Sequence, residues 1–259
     1  MDILDIERHG RGVTRVVMRH ETTRNAMGED LRGELLSTFN MLMADKSVRV
    51  IIITSGLKDF SVGGDLSRMN SLSDPKAGRE RILSAHKLAR LLLACDKPMI
   101  AEIRGNAVGA GAGLALFCDT IVMGESANIG FPFPRVGLAP DFAIAYTLAQ
   151  RIGVARARQA LLYARNFKGL LALESGLADV VVADDEVAAK AMELAQELAS
   201  FPSHSAALTK RMMERAADPM AVLDFEAMAQ PLCFASNDFQ EGLVAFKEKR
   251  KPFFDPHTA

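Results

Sequence analysis

The sequence predicts an α/β fold over residues 1–185 and a helical region over 186–259. Three observations carry this. Short β-branched runs such as "VRVIIITSG" (48–56) and "LADVVVAD" (177–184) alternate with longer stretches whose apolar residues recur every three or four positions. After Asp185 the strand pattern stops and only helical periodicity continues. The chain has 259 residues, 49% of them hydrophobic, enough to bury roughly three quarters of its unfolded surface around a sizeable core.

The elements follow in order. Ile3, Asp5 and Glu7 alternate with Leu4 and Ile6, and "GVTRVVMRH" follows a His9-Gly10-Arg11-Gly12 turn, which reads as a hairpin. Leu31, Leu35, Phe39 and Leu42 place one face of a helix over 27–45. The buried strand 48–56 ends at glycine. An amphipathic helix over 79–96 stops before Pro98. Strands are expected at 97–105 and 117–126. A helix over 141–153 has Asp141 as its N-cap and Gly153 at its end. A further helix "VARARQALLYA" leads to the strand 177–184. The tail reads as helical runs at 186–200, 205–216, 221–238 and 239–250, whose apolar faces need cover from the core or from another subunit. "SRMNSLSDPKAG" (67–78) reads as a mobile surface loop. No repeat of fixed period is visible.

Composition removes several function classes. Thirty-one basic and 32 acidic residues leave a net charge of −1, which argues against nucleic acid as a partner. Cys95, Cys118 and Cys233 form no CxxC pair and read as reduced thiols. The charged, alternating N-terminus has no apolar signal core, and no apolar run reaches the ~18 residues of a membrane span. A cytoplasmic protein with no membrane association is the expectation. The five histidines show no HxxxH or HxH spacing, so no metal site is expected. His20, Glu21 and Glu102 read as strand-end charges, and Met27, Met41 and Met43 as core.

Two turns are rich in small residues: "DFSVGGDL" (59–66), after a buried strand, and "GNAVGAGAGLALFCD" (105–119), after another. Each can expose peptide N–H groups without side-chain obstruction. A converging pair of such donors stabilises negative charge developing on a carbonyl oxygen. The glycines serve equally for close packing alone. Phosphate binding is poorly supported, because "GNAVGAGAG" has no GKS or GKT and no well-placed acid follows.

"FSVGGDL", "KPMIAEIRGNAVGAGAGLALFCD", "ANIGFPFPRVGLAPD" and "EGLVAFKEKRKPFF" stand in an order and spacing that resembles the crotonase superfamily, the enoyl-CoA hydratase/isomerase family. The resemblance runs from "RNAM" (24–27) to the C-terminal helix. It implies a ClpP/crotonase-like spiral of ββα units with a helical trimerisation region, assembled as a homotrimer or a dimer of trimers. It implies an acyl-CoA thioester as substrate, a stabilised thioester enolate as the shared step, and no cofactor beyond the CoA of the substrate.

The same resemblance places the two oxyanion donors on the N–H groups of Gly64 and Ala110. Thr22, Thr23 and Arg24 fall on the segment lining pantetheine and phosphates. Val62, Asp65 and Leu66 fall on the adenine-side wall. Phe246 and Lys249 fall on tail positions that contact CoA from the same or a neighbouring subunit, although Lys249 in "KEKRK" reads equally as a solvated charge. The two glutamates of the family's hydratases fall on Gly113 and Phe133, which cannot move a proton, so the usual hydration mechanism is not expected.

Asp141 then becomes the candidate acid/base. In the family its position carries the working aspartate of some double-bond isomerases and the nucleophile of 4-chlorobenzoyl-CoA dehalogenases. Phe131, Phe133 and Phe142 would supply a dry pocket that raises its pKa. The N-cap role remains open beside the catalytic one. His86 matches the dehalogenases' general base, and also reads as a packed wall residue on the face of Ile82, Ala89 and Leu93. Enoyl-CoA isomerisation is the leading expectation. Hydrolytic aryl-CoA dehalogenation is the first alternative, weakened by the absence of Trp. An acyl-CoA-binding protein without catalysis is the second.

Overall fold

Two sheets receive the chain alternately, as seen in a computed structural model that describes residues 3–65 and 74–254. The expectations for Leu66 and for loop residues 67–73 lie outside those residues. The hairpin is present: β1 (Leu4–Arg8) pairs antiparallel with β2 (Val13–Met18). β3 (Val50–Ser55), β4 (Met99–Ile103), β6 (Thr120–Gly124) and β9 (Val180–Val182) join β2 in parallel, giving the order β1-β2-β3-β4-β6-β9. A smaller sheet has the order β5-β7-β8, from Asn106–Val108, Asn128–Gly130 and Asn166–Lys168. Its strands have only three residues each, too short for an alternation signal to be read from sequence.

The ββα units are visible in this alternation. β4 crosses to β5 and is followed by α3 (Ala110–Leu116); β6 crosses to β7 and is followed by α4 (Ile144–Ile152). The unit before them is reduced. After β3, Ser61 alone bridges to Ala107 of β5, and the chain proceeds to α2 (Pro75–Leu93). The lengths differ from unit to unit, which is why no fixed period shows in the sequence.

α1 (Glu29–Ala44) buries Leu31, Leu35, Phe39 and Leu42, the predicted face, and carries Glu29 and Asp30 in its first turn, where the helix dipole favours them. α2 begins earlier than periodicity suggested. The Asp74 carboxylate accepts from the N–H groups of Lys76 and Ala77, and Pro75 occupies the first helical position. Residues 74–78 are therefore a capped helix start, not loop. The face that α2 buries is Ala85, Leu88, Ala89 and Leu92; Leu93, expected beside His86, is 41% exposed.

α5 (Val154–Leu162) and α6 (Gly169–Glu174) complete the α/β region. Beyond β9 come only helices: α7 (Val187–Leu198), α8 (Ser203–Met213), α9 (Pro219–Phe234) and α10 (Asn237–Glu248). α7 belongs with the sheet: Val187, Ala191 and Ala195 pack on Val50, Ile52, Ile100 and Val122. α8 to α10 leave Met213, Met220, Leu223, Met228, Leu232 and Phe234 exposed. Among the described residues no helix is long and apolar enough to cross a membrane.

Glu102 is not a strand-end charge. It is 1% exposed within β4, and Arg15 of β2 holds both its carboxylate oxygens, at 2.8 and 3.1 Å. Pairing makes its burial tolerable.

Candidate active site

The site forms where successive units leave the second sheet. Gly64 follows the Ser61 bridge, Ala110 follows β5, and the segment from Phe131 to Asp141 follows β7. These are equivalent points of three units, so the spiral stacks them beside one another.

Backbone approach explains the glycines. Gly63 has φ +96°, and a Cβ there would lie 2.7 Å from the Val108 carbonyl oxygen. Gly109 has φ +53° and is the N-cap of α3. Only glycine fits such proximity and such dihedrals without strain. The loops are fixed by their own hydrogen bonds: Val108 N–H to Ser61 O at 3.0 Å, Gly109 N–H to Gly130 O at 2.9 Å, and Met27 N–H to Gly63 O at 2.6 Å. The N–H groups of Gly64 and Ala110 take no partner among the described residues. Ala110 is the first residue of its helix, where an N–H has no intrahelical acceptor.

Gly64, Ala110 and Asp141 line one cavity, together with Arg32, Arg81 and Phe142. Its volume is about 20 Å³, room for about one water. Lining side chains must therefore move to admit anything larger. Asp141 is not the N-cap of α4. Ala143 holds that place with φ +59°, after Phe142 at φ +52°, and no side chain caps the helix. The Asp141 Oδ1 is buried without a hydrogen-bond partner. Two successive left-handed residues take the chain from Asp141 into α4, and Asp141 lines the cavity without capping the helix. Burial pushes this carboxyl above the usual carboxylate range; its own backbone N–H, then Arg81, Arg32 and His86, pull it back.

Phe142 is the one phenylalanine of the expected dry pocket that lines the cavity. It meets Phe117 edge to face, with ring centroids 5.2 Å apart. Phe133 is buried against Gly109 in a 3₁₀ turn, outside the lining, and Phe131 packs on Phe167. His86 is half-buried on α2 and also outside the lining. Gly113 is buried in α3, and a Cβ there would lie 3.0 Å from both Phe142 Cδ1 and Ile144 Cγ1. The space a side chain would need at this position is filled.

Thr22, Thr23 and Arg24 run beside Val62 and Gly63, joined by Val62 N–H to Arg24 O at 3.4 Å and Ser61 Oγ–H to Asn25 O at 2.6 Å. Arg24 spends its guanidinium on the buried carboxylate of Asp59, which also accepts from Asn106. Asp65 is buried against Gly28.

Phe246 and Lys249 are not among the residues that line this cavity. Phe246 is 83% exposed on α10, and Lys249 ends that helix. Lys251 and Phe253, just beyond, lie against Arg11 and Arg49, at the start of β2 and β3.

Arg32 and Arg81 were missed. Both stand at apolar-stripe spacing, Arg32 with Leu35 and Phe39, Arg81 with Ala85 and Leu88. An arginine at a core position of a helix was the available signal.

A sequence model of the family described as Enoyl-CoA hydratase/isomerase matches residues 8–257. The chain is 30% identical to a short-chain-enoyl-CoA hydratase of Clostridium acetobutylicum over 95% of each protein. It is 30% identical to a 1,2-epoxyphenylacetyl-CoA isomerase of Escherichia coli, covering 94% of this chain and 95% of that one. Its fold is similar to an enoyl-CoA hydratase structure from Bacillus anthracis, with a TM-score of 0.92, 26% identity, and coverage of 99% and 100%.

Proposed function

The chain belongs to the enoyl-CoA hydratase/isomerase family, and from that premise we propose that it shifts a carbon–carbon double bond in an acyl-CoA thioester, with Asp141 carrying the proton. One observation carries the reading. Asp141, whose Oδ1 is buried without a partner, lines the same cavity as Gly64 and Ala110, while a hydratase glutamate position, Gly113, is closed by Phe142 and Ile144.

The thioester oxygen of a 3-enoyl-CoA accepts from the N–H groups of Gly64 and Ala110. The Asp141 carboxylate removes a proton from C2, and electrons move through the dienolate to the thioester oxygen. The same carboxyl returns that proton at C4, giving the 2-enoyl-CoA. Atoms and electrons balance, so the reaction needs no cofactor besides the substrate's CoA. A raised carboxyl pKa brings the base closer to neutrality, where proton transfer contributes about 10²–10⁴-fold. Thr22, Thr23, Val62 and Asp65 would border the CoA moiety, and Phe133 would stand behind the acyl group. A trimer formed through α8–α10, singly or as a pair of trimers, would cover the exposed apolar residues there and bring Phe246 and Lys249 to a neighbour's site.

The test is conversion of 3-enoyl-CoA to the absorbing 2-enoyl-CoA. Asp141→Asn is expected to abolish it; an unchanged rate would remove Asp141 from the mechanism. His86 stands outside the cavity lining, which weighs against dehalogenation with His86 as base; chloride release from a halogenated aryl-CoA would restore that reading. Binding of CoA thioesters without turnover of any of them would leave a binding protein.

A further inference from the structure

The cavity carries more positive charge than its carboxylate needs. Arg32 and Arg81 both line it, against Asp141 as the single acidic lining residue among the described residues. Arg32 is only 7% exposed, and among the described residues its side chain makes one hydrogen bond, from Nη1 to the Met27 carbonyl at 2.7 Å. Its Nε is buried with no partner. The Arg81 side chain makes no hydrogen bond or ion pair among the described residues. Glu29, on the exposed first turn of α1, acts on Arg32 from outside the lining, and Asp65 is turned to Gly28. A hydrocarbon chain has no use for guanidinium groups, and burying an unpaired one is costly. A planar anion satisfies them well, because the guanidinium fork matches a carboxylate.

We propose that the acyl group taken by this site bears a second, free carboxylate, received by Arg81 with Arg32 behind it. The substrate class is then a dicarboxylic acid joined to CoA through one end. This rests on the acyl-CoA reading of the site, but not on isomerisation. Arg81 is half-buried and unpaired, so it is the lining side chain freest to move as the acyl group enters.

Calorimetric binding of unreactive thioesters tests this separately from turnover. Succinyl-, glutaryl- and adipoyl-CoA are compared with butyryl-, pentanoyl- and hexanoyl-CoA. At the chain length that reaches Arg81, the dicarboxylic thioester is expected to bind about tenfold tighter or better. Arg81→Met should bring that ratio close to one, and Arg81→Lys should keep part of it. If Arg81→Met does not fold, loss of the wild-type preference at high salt is the second readout. Equal affinities at every chain length would overturn the proposal, as would a preference untouched by Arg81→Met. If the arginines served only to tune Asp141, both series would change in parallel in the variant, which also overturns it. Failure of the isomerase reading looks different: the binding preference persists, yet no 2-enoyl product forms from 3-hexenoyl-CoA or its terminal carboxylate analogue.

Discussion

Gly113→Glu restores the residue type that a hydratase carries at this position, and the structure predicts that it fails. A Cβ at Gly113 would lie 3.0 Å from Phe142 Cδ1 and Ile144 Cγ1 and 3.2 Å from Ile144 Cδ1. Unstrained carbon contacts lie near 3.5–4.0 Å. Phe142 is 2% exposed and Ile144 fully buried, so neither can swing into solvent. Overpacking of this kind costs about 1–3 kcal/mol. Replacing glycine in a helix returns about 1 kcal/mol. Gly113→Ala should therefore lose between about 0 and 2 kcal/mol by those two terms. Glutamate adds a buried carboxylate without a partner, worth several kcal/mol more. The expected loss for Gly113→Glu is at least about 3 kcal/mol, a large part of the stability of a typical domain. Urea unfolding followed by circular dichroism reads the loss, and crotonyl-CoA absorbance reads hydration. Phe142→Ala placed in the same chain should recover part of the stability by opening the space. A Gly113→Glu protein that unfolds at the parent midpoint and hydrates crotonyl-CoA would refute the reasoning.

Two further outcomes are expected. Ala110→Pro deletes one proposed oxyanion donor at the first position of α3, where proline is tolerated, and the preceding Gly109 accommodates the ring. The turnover number for 3-enoyl-CoA should fall about 10²–10³-fold with the circular dichroism spectrum retained. Asp141→Asn should also stabilise the protein at neutral pH. The folded carboxyl lies above its ordinary value of 3.8, so it adds stability below that value and loses it as pH rises through the folded pKa. Urea midpoints across pH should therefore show the variant ahead near neutrality and the advantage gone in acid, while the parent's activity falls as pH drops through the same folded pKa.

Much of the scaffold was legible because it depends on short-range pattern. The hairpin, the buried strand 50–55, α1 and the four tail helices follow from alternation, β-branching and apolar spacing. The second sheet was not legible, since three-residue strands leave no period to read and owe their place to partners distant in sequence. Asp141 was legible as a candidate, but its local context suggested a cap. The left-handed Phe142 and Ala143 decide otherwise, and neither residue type announces such a backbone.

The sequence by itself determined the family, the small-residue turns and the absence of carboxylates at Gly113 and Phe133, because residue identity at a motif position is local information. Only the tertiary structure decided that Gly64, Ala110 and Asp141 share one cavity and that Arg32 and Arg81 line it with them. Those relations are set by how successive units of unequal length stack, and stacking is a property of packed elements that no stretch of the chain contains.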